Sequence, residues 1–273
     1  MSVTREQIGR RVEQSDWMDH AVRVGLISYG VVHLLIGWIA LQLALGDHEG
    51  SANTTGAMRQ LAQQPLGEFL IWMVAIGMFL LVLWRLLELV KGHRDKDGGD
   101  LWKARAGDVL KAVLYGAVGF SAVSVATHSS GGSGPSFPEK VSQELMKLPA
   151  GPFLVGAVGL AVIAYGGNLV WKGFSDKHAK HLATEGKSGE AGKAYLMFGK
   201  VGYISKGIAI GLIGVLFVYA AVTHDAAKSG GLDAALSKLL QQPFGPIMLG
   251  AIALGIICYG LFCFARARHL SRS

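Results

Sequence analysis

Histidine is the side chain in this chain best suited to metal or proton chemistry, and its placement is regular. His48, His128 and His224 each follow an apolar run in one of three successive segments. Three imidazoles brought together, with Asp47, Glu49 and Asp225 alongside, are a donor set for zinc or copper. Their register differs by one or two residues between segments, and loop-edge histidines are commonly just solvated, so the two readings compete. His33 is different, being the histidine inside an apolar run, one turn beyond Tyr29. An ionisable group in a bilayer marks a proton or cofactor site by default. The competing reading is a neutral imidazole hydrogen-bonded to a neighbouring helix. The equivalent positions in the other segments are Tyr115 and Ile210, so no symmetric cluster forms, and haem held by two histidines would need a second at similar depth. No cofactor is expected. Arg85 and Glu88 lie three apart on one helical face and can pair.

Enzyme signatures are missing. Gly186-Lys187-Ser188 echoes the end of a phosphate-binding loop without its upstream glycine or a preceding strand. Gly131-Gly132-Ser133-Gly134 lacks the spacing of a nucleophile elbow. No catalytic residue is expected, and the chain is not expected to be an enzyme.

The elements that would carry these residues are set by hydropathy. Half of the 273 residues are hydrophobic and only 16% are charged, where a soluble domain carries closer to a quarter. Mean hydropathy is +0.38. Six apolar runs are long enough to cross ~30 Å of hydrocarbon once flanking Arg85, Glu88, Lys111 and Lys206 extend their stems toward the headgroups. A soluble bundle would need polar faces on these helices, and they have none. The expected fold is therefore an all-α membrane protein of six transmembrane helices. Cys258 and Cys263, five apart in the last run, point to different sides of a helix and cannot pair within it.

The six runs form three copies of one two-helix unit. The first helix of each opens on a basic residue and spaced small residues: Arg23, Gly25, Gly30, Gly37; Arg105, Gly107, Ala112, Gly119; Lys200, Gly202, Gly207, Gly214. A polar excursion follows, then Pro65/Gly67, Pro149/Gly151 or Pro243/Gly245 opens the second helix. The expected division is a tail at 1–16, repeat one at 17–96 (spans 24–45 and 67–88), repeat two at 97–178 (spans 107–127 and 152–173), a linker at 179–193, and repeat three at 194–270 (spans 203–223 and 244–265). With two spans each, successive units insert in the same orientation and can close around one axis as a pseudo-threefold bundle. The inverted repeats common in transporters need an odd number of spans per unit.

Lysine and arginine set the direction. Twenty-one fall in the N-terminal tail, the second and fourth connections and the C-terminal end, against five in the other connections. The positive-inside bias then places both termini in the cytoplasm. The first run is longer than a signal-peptide core and is the counterpart of spans three and five, so it is expected to be retained. The basic pI of about 9.4 attracts anionic lipid heads, and no folded basic module points to nucleic acid. The lipid bilayer is the expected partner, with another membrane complex as a further one.

The outward excursions Thr55–Gln64, Ser136–Leu148 and Leu232–Gln242 are amphipathic and end at the prolines, with Leu61, Leu145 and Leu239 in register. Ser136 and Asp233 are expected N-caps, and Pro138 suits a first helical turn. The loop Asp176–Gly192 is polar and expected to be mobile. Small residues along every span give narrow stripes for close helix packing.

This pattern resembles a bacterial membrane family, the domain-of-unknown-function family 1206: three tandem units, a glycine-spaced first helix, a Pro-x-Gly turn and a Tyr-Gly ending at Tyr165-Gly166 and Tyr259-Gly260. The likeness runs over roughly residues 17–270, with Leu81-Val82 replacing Tyr-Gly in the first unit. The resemblance implies a six-span fold in a bacterial cytoplasmic membrane and no established activity. Dense packing residues and few intramembrane polar groups suggest a non-catalytic accessory or scaffold protein. A channel or transporter for a small solute along the pseudo-threefold axis is the alternative, with His33, Gln42, Ser121, Ser124, Tyr165 and Asn168 as its polar lining.

Overall fold

A computed structural model describes residues 5–46, 52, 54–63, 67–91, 98–127 and 137–270. Nine α-helices are formed among them, in the order α1 (Arg5–Ala44), α2 (Thr54–Ala62), α3 (Gly67–Lys91), α4 (Gly98–Thr127), α5 (Phe137–Met146), α6 (Gly151–Phe174), α7 (Gly189–Thr223), α8 (Leu232–Leu240) and α9 (Gly245–Arg268). Six of them are long and apolar enough to cross a membrane: α1 from Asp19, α3, α4, α6, α7 and α9. The protein is a multi-pass membrane protein. An even number of crossings puts both termini on one face, and α2, α5 and α8 on the other.

Each unit contributes a span, a short amphipathic helix and a second span. The second span of every unit packs against the first span of the next: α3 on α4, α6 on α7, and α9 back on α1. Within units, α1 packs on α3 and α7 on α9, but α4 and α6 barely touch. The ring is thus pseudo-threefold and open at one point, inside the second unit. The opening shows in burial, since only 18% of the α4 window and 22% of the α6 window are buried, against 39% or more for every other span.

Local sequence explains the closures. At the α6/α7 seam a Cβ on Gly166 would lie 2.6 Å from the Gly207 carbonyl oxygen, and one on Gly207 equally close to that of Gly166. Gly30 and Gly260 face each other in the same way between α1 and α9. Without lateral side chains, helices approach until backbones touch, and dispersion holds them in a lipid solvent. Inside units one and three, Ser28 packs into Gly77 and Ser205 into Gly255. The second unit has Leu110 and Ala161 at the matching positions. The serine-in-glycine notch of the other two units is thus not repeated in this sequence.

The Pro-x-Gly turns have a steric basis. A Cβ on Gly151 would lie 2.5 Å from the Leu145 carbonyl, and Gly67 and Gly245 press equally on the carbonyls that end α2 and α8. The residue before two of them, Ala150 and Phe244, takes a left-handed φ of 61°. Leu61 and Leu239 are buried at 6% and 7% exposure, so these two short helices lie down on the bundle, while Leu145 is half-buried. Gly231 is the N-cap of α8 and Asp233 falls in its first turn; Ser136 lies outside the described residues.

The segment expected to be a mobile loop is ordered. Two 3₁₀ turns, Lys177–His181 and Thr184–Lys187, run as a strap under α7, and α7 itself begins at Gly189. Leu182 is fully buried and bridges to Leu270, while His178 sits between the Lys172 and Leu196 carbonyls. Two inward-facing side chains in an otherwise polar stretch were enough to fix it.

Candidate functional site

Placing the three units in register aligns their interior side chains in layers. Four residues past the first glycine stand Tyr29, Lys111 and Lys206; fourteen past the second-helix glycine stand Leu81, Tyr165 and Tyr259. These layers meet inside the spans, somewhat nearer their termini-side ends.

Lys206 is the hub. Its Nζ donates to Tyr29 Oη at 2.7 Å and to His33 Nε2 at 3.1 Å. His33 Nδ1 lies 2.8 Å from the Tyr29 carbonyl, which can only accept, so that nitrogen carries the proton and Nε2 offers its lone pair to Lys206. The Tyr259 ring faces Nζ from 4.0 Å and the Tyr29 ring from 4.6 Å. Tyr115 and His33 complete the wall edge-on to Tyr29, with centroids 5.2 and 4.2 Å away, and Tyr203 leans on Tyr259 at 5.4 Å. Such π faces favour a cation. No carboxylate pairs with Lys206 among the described residues. Both of its hydrogen bonds go to neutral partners.

A second interior cation lies two turns along α9. Arg266 is 9% exposed, makes no hydrogen bond or ion pair among the described residues, and its Nε is buried without a partner. Beyond the cage, toward the face carrying α2 and α8, the core turns apolar. Ile36, Ile39, Leu249 and Ile252 fill it, and Met58 and Leu236 cap it, none more than 7% exposed. The axis is polar and cationic on the termini side and dry on the other.

A separate ion network joins α3 to α4. Arg85 Nη1 contacts Glu88 Oε2 at 3.0 Å and Asp108 Oδ1 at 3.1 Å, and Lys111 approaches Asp108 at 3.6 Å. The expected Arg85–Glu88 pair is present, and Asp108 is a second, more buried partner that spacing within one helix did not suggest.

The remaining sequence candidates fall as follows. His224 is exposed and ends α7 with a left-handed φ of 53°; His48 and His128 lie outside the described residues. Ser121 bonds to Thr55 of α2 at 3.0 Å and Gln42 to Gln60 at 3.4 Å, so both pin a short helix rather than line an axis. Ser124 and Asn168 face outward. Of the packing residues, Gly25, Gly30, Gly37, Gly119, Gly202, Gly207 and Gly214 face tight helix contacts and Ala112 is buried, whereas Gly107 faces open space because α6 stands away from it. Lys206, read from sequence as a headgroup-seeking flank, points inward instead. Column-by-column comparison of the three units was the signal that could have found it, because it aligns with Tyr29.

The family described as Domain of Unknown Function (DUF1206) matches at residues 24–92, 106–176 and 201–269, one match for each unit. The chain belongs to this family. Membership accounts for the three-unit layout. Among curated proteins, the chain is similar to Uncharacterized protein YxxB of Bacillus subtilis (strain 168), at 27% identity over 240 residues, which is 87% of this chain and 86% of that one. No solved structure matches.

Proposed function

We propose that this protein is a carrier for a small solute in a bacterial cytoplasmic membrane, with both termini in the cytoplasm and its binding site at the caged Lys206. One observation carries the reading: an ammonium held within the spans by a tyrosine hydroxyl, a histidine nitrogen and a tyrosine face, with no carboxylate to compensate it. Burying an unpaired charge costs about several kcal/mol even after relaxation. Packing alone would be served better by an apolar side chain, such as the Ile210 one turn further on. The polar half-axis and dry half-axis also suit a carrier, which is closed on one side in each of its states, better than an open channel. The role is binding and passage rather than catalysis.

The test is flux into proteoliposomes of purified protein. Lys206→Met should reduce uptake of the carried solute at least about tenfold, the loss of roughly 1.4 kcal/mol of binding, while the variant stays monodisperse. Unchanged flux removes the reading. The rival is an accessory role within a membrane complex, which the backbone-to-backbone helix seams favour. A stoichiometric partner retained in mild detergent, with no flux, would install it instead. Orientation is checked separately: reporter fusions at either terminus should be active only for a cytoplasmic location, and a fusion after Lys147 only for the opposite side.

A further inference from the structure

The interior of the bundle collects positive charge and commits its acids elsewhere. Lys206 and Arg266 face the same half-axis, and neither meets a carboxylate among the described residues. The two acids on the neighbouring spans, Glu88 and Asp108, are taken by Arg85 and Lys111. Lys206 keeps one N–H beyond those given to Tyr29 and His33. Tyr29 accepts from Lys206 through its oxygen, which leaves its own proton to donate. Two donor groups thus stand side by side, Nζ and the Tyr29 hydroxyl being 2.7 Å apart, and the rings of Tyr115 and Tyr259 lie beside them. Together these are the complement of a carboxylate mounted on an apolar body.

The route is marked by the break in the ring. Where Gly25 and Gly202 press on the second helix of their own unit, a Cβ on Gly107 would meet nothing within 4 Å. Tyr165, the counterpart of buried Leu81 and Tyr259, is only half-buried there. The opening between α4 and α6 faces lipid. The dry plug of Ile36, Ile39 and Leu249 closes one end of the axis, and the Lys177–Lys187 strap covers the end of α7 and α9 at the other.

We infer that the Lys206 site binds an amphiphilic carboxylate that enters sideways from the bilayer through the opening between α4 and α6. This rests on the solute-binding reading above and names its ligand class and its direction of approach. Lys206 and the Tyr29 hydroxyl hold the carboxylate, Arg266 supplies a second attraction from nearer the termini face, and the acyl body lies along the tyrosine wall.

The test uses the full chain in nanodiscs, with radiolabelled decanoate as probe at neutral pH. Saturable binding is expected, with decanol, equal in chain length and uncharged, competing at least tenfold more weakly. That comparison needs no variant. Lys206→Met should weaken decanoate at least tenfold and Lys206→Arg should recover most of it. Gly107→Trp, placed in open space, should slow decanoate binding at least tenfold by closing the opening. Equal competition by decanol, or full binding by Lys206→Met, overturns the inference. So does saturable binding of benzoate, a water-soluble carboxylate, that exceeds decanoate binding and ignores Gly107→Trp, since the ligand would then come from water. The two readings also fail separately. Decanoate binding without flux in liposomes keeps this site and removes the carrier; flux of a cation or sugar without decanoate binding removes this site and keeps the carrier.

Discussion

Gly202→Leu is expected to destabilise the fold strongly where Gly107→Leu leaves it intact, although the two glycines hold the same place in their units. A Cβ on Gly202 would lie 2.6 Å from the backbone nitrogen and Cα of Tyr259, and no rotamer of leucine relieves a clash with main chain. Helix α7 must then leave α9, which opens the third unit and the cage around Lys206. Overpacking of this kind costs about 3 kcal/mol or more. For a chain of this size that corresponds to a fall of roughly 6–12 °C in thermal midpoint. Gly107 faces open space, so a leucine there meets only lipid, and a shift within about 2 °C is expected from a surface substitution. Both are measured by thermal unfolding with size-exclusion chromatography. Equal effects at the two positions would mean that the second unit is closed like the others.

Removing one member of the Arg85–Asp108 pair should hurt more than removing both. The side chains are 9% and 4% exposed, and they carry the α3/α4 seam at a level where the other two seams have Leu169 with Tyr203, and Cys263 with Leu26. Arg85→Leu takes the guanidinium away from the buried Asp108 carboxylate, leaving Lys111 3.6 Å from it. Breaking a buried pair from one side costs about 3–5 kcal/mol, whereas replacing both partners by apolar groups is often near neutral. Arg85→Leu with Asp108→Leu should therefore recover most of what Arg85→Leu loses, because Glu88 and Lys111 are 34% and 42% exposed and can be solvated. The double-mutant cycle measures the coupling directly. Simple additivity of the two single losses would show that the pair is not a unit.

The fold was largely legible in the amino-acid sequence because its causes are local and repeated. Hydropathy gives six spans, the even number per unit gives parallel insertion, and glycines at fixed offsets mark the seams. The second unit's difference was also written there, as Leu110 and Ala161 in the columns of Ser28 with Gly77 and Ser205 with Gly255. It is read only once the notch is known to be a notch. The candidate site was less legible for a physical reason. A lysine at the edge of an apolar run reaches either headgroups or interior, and its own helix does not decide between them. Lys206 turns inward because Tyr29, His33 and Tyr259, from two other helices, offer an acceptor oxygen, an acceptor nitrogen and a π face. Asp108 was missed for the same reason, since its partner lies on the preceding unit.

The 35 residues of α7 make a rod of about 52 Å, while hydrocarbon needs only about 30 Å of it. Roughly 20 Å of helix must stand clear of the lipid tails on the side of the termini. The strap wraps this projecting shaft, and Lys177, Lys187 and Lys193 lie along the strap and the first turns of α7. The protein therefore carries a raised plinth above the membrane surface, whose height would move with bilayer thickness while the packed spans below keep their shape.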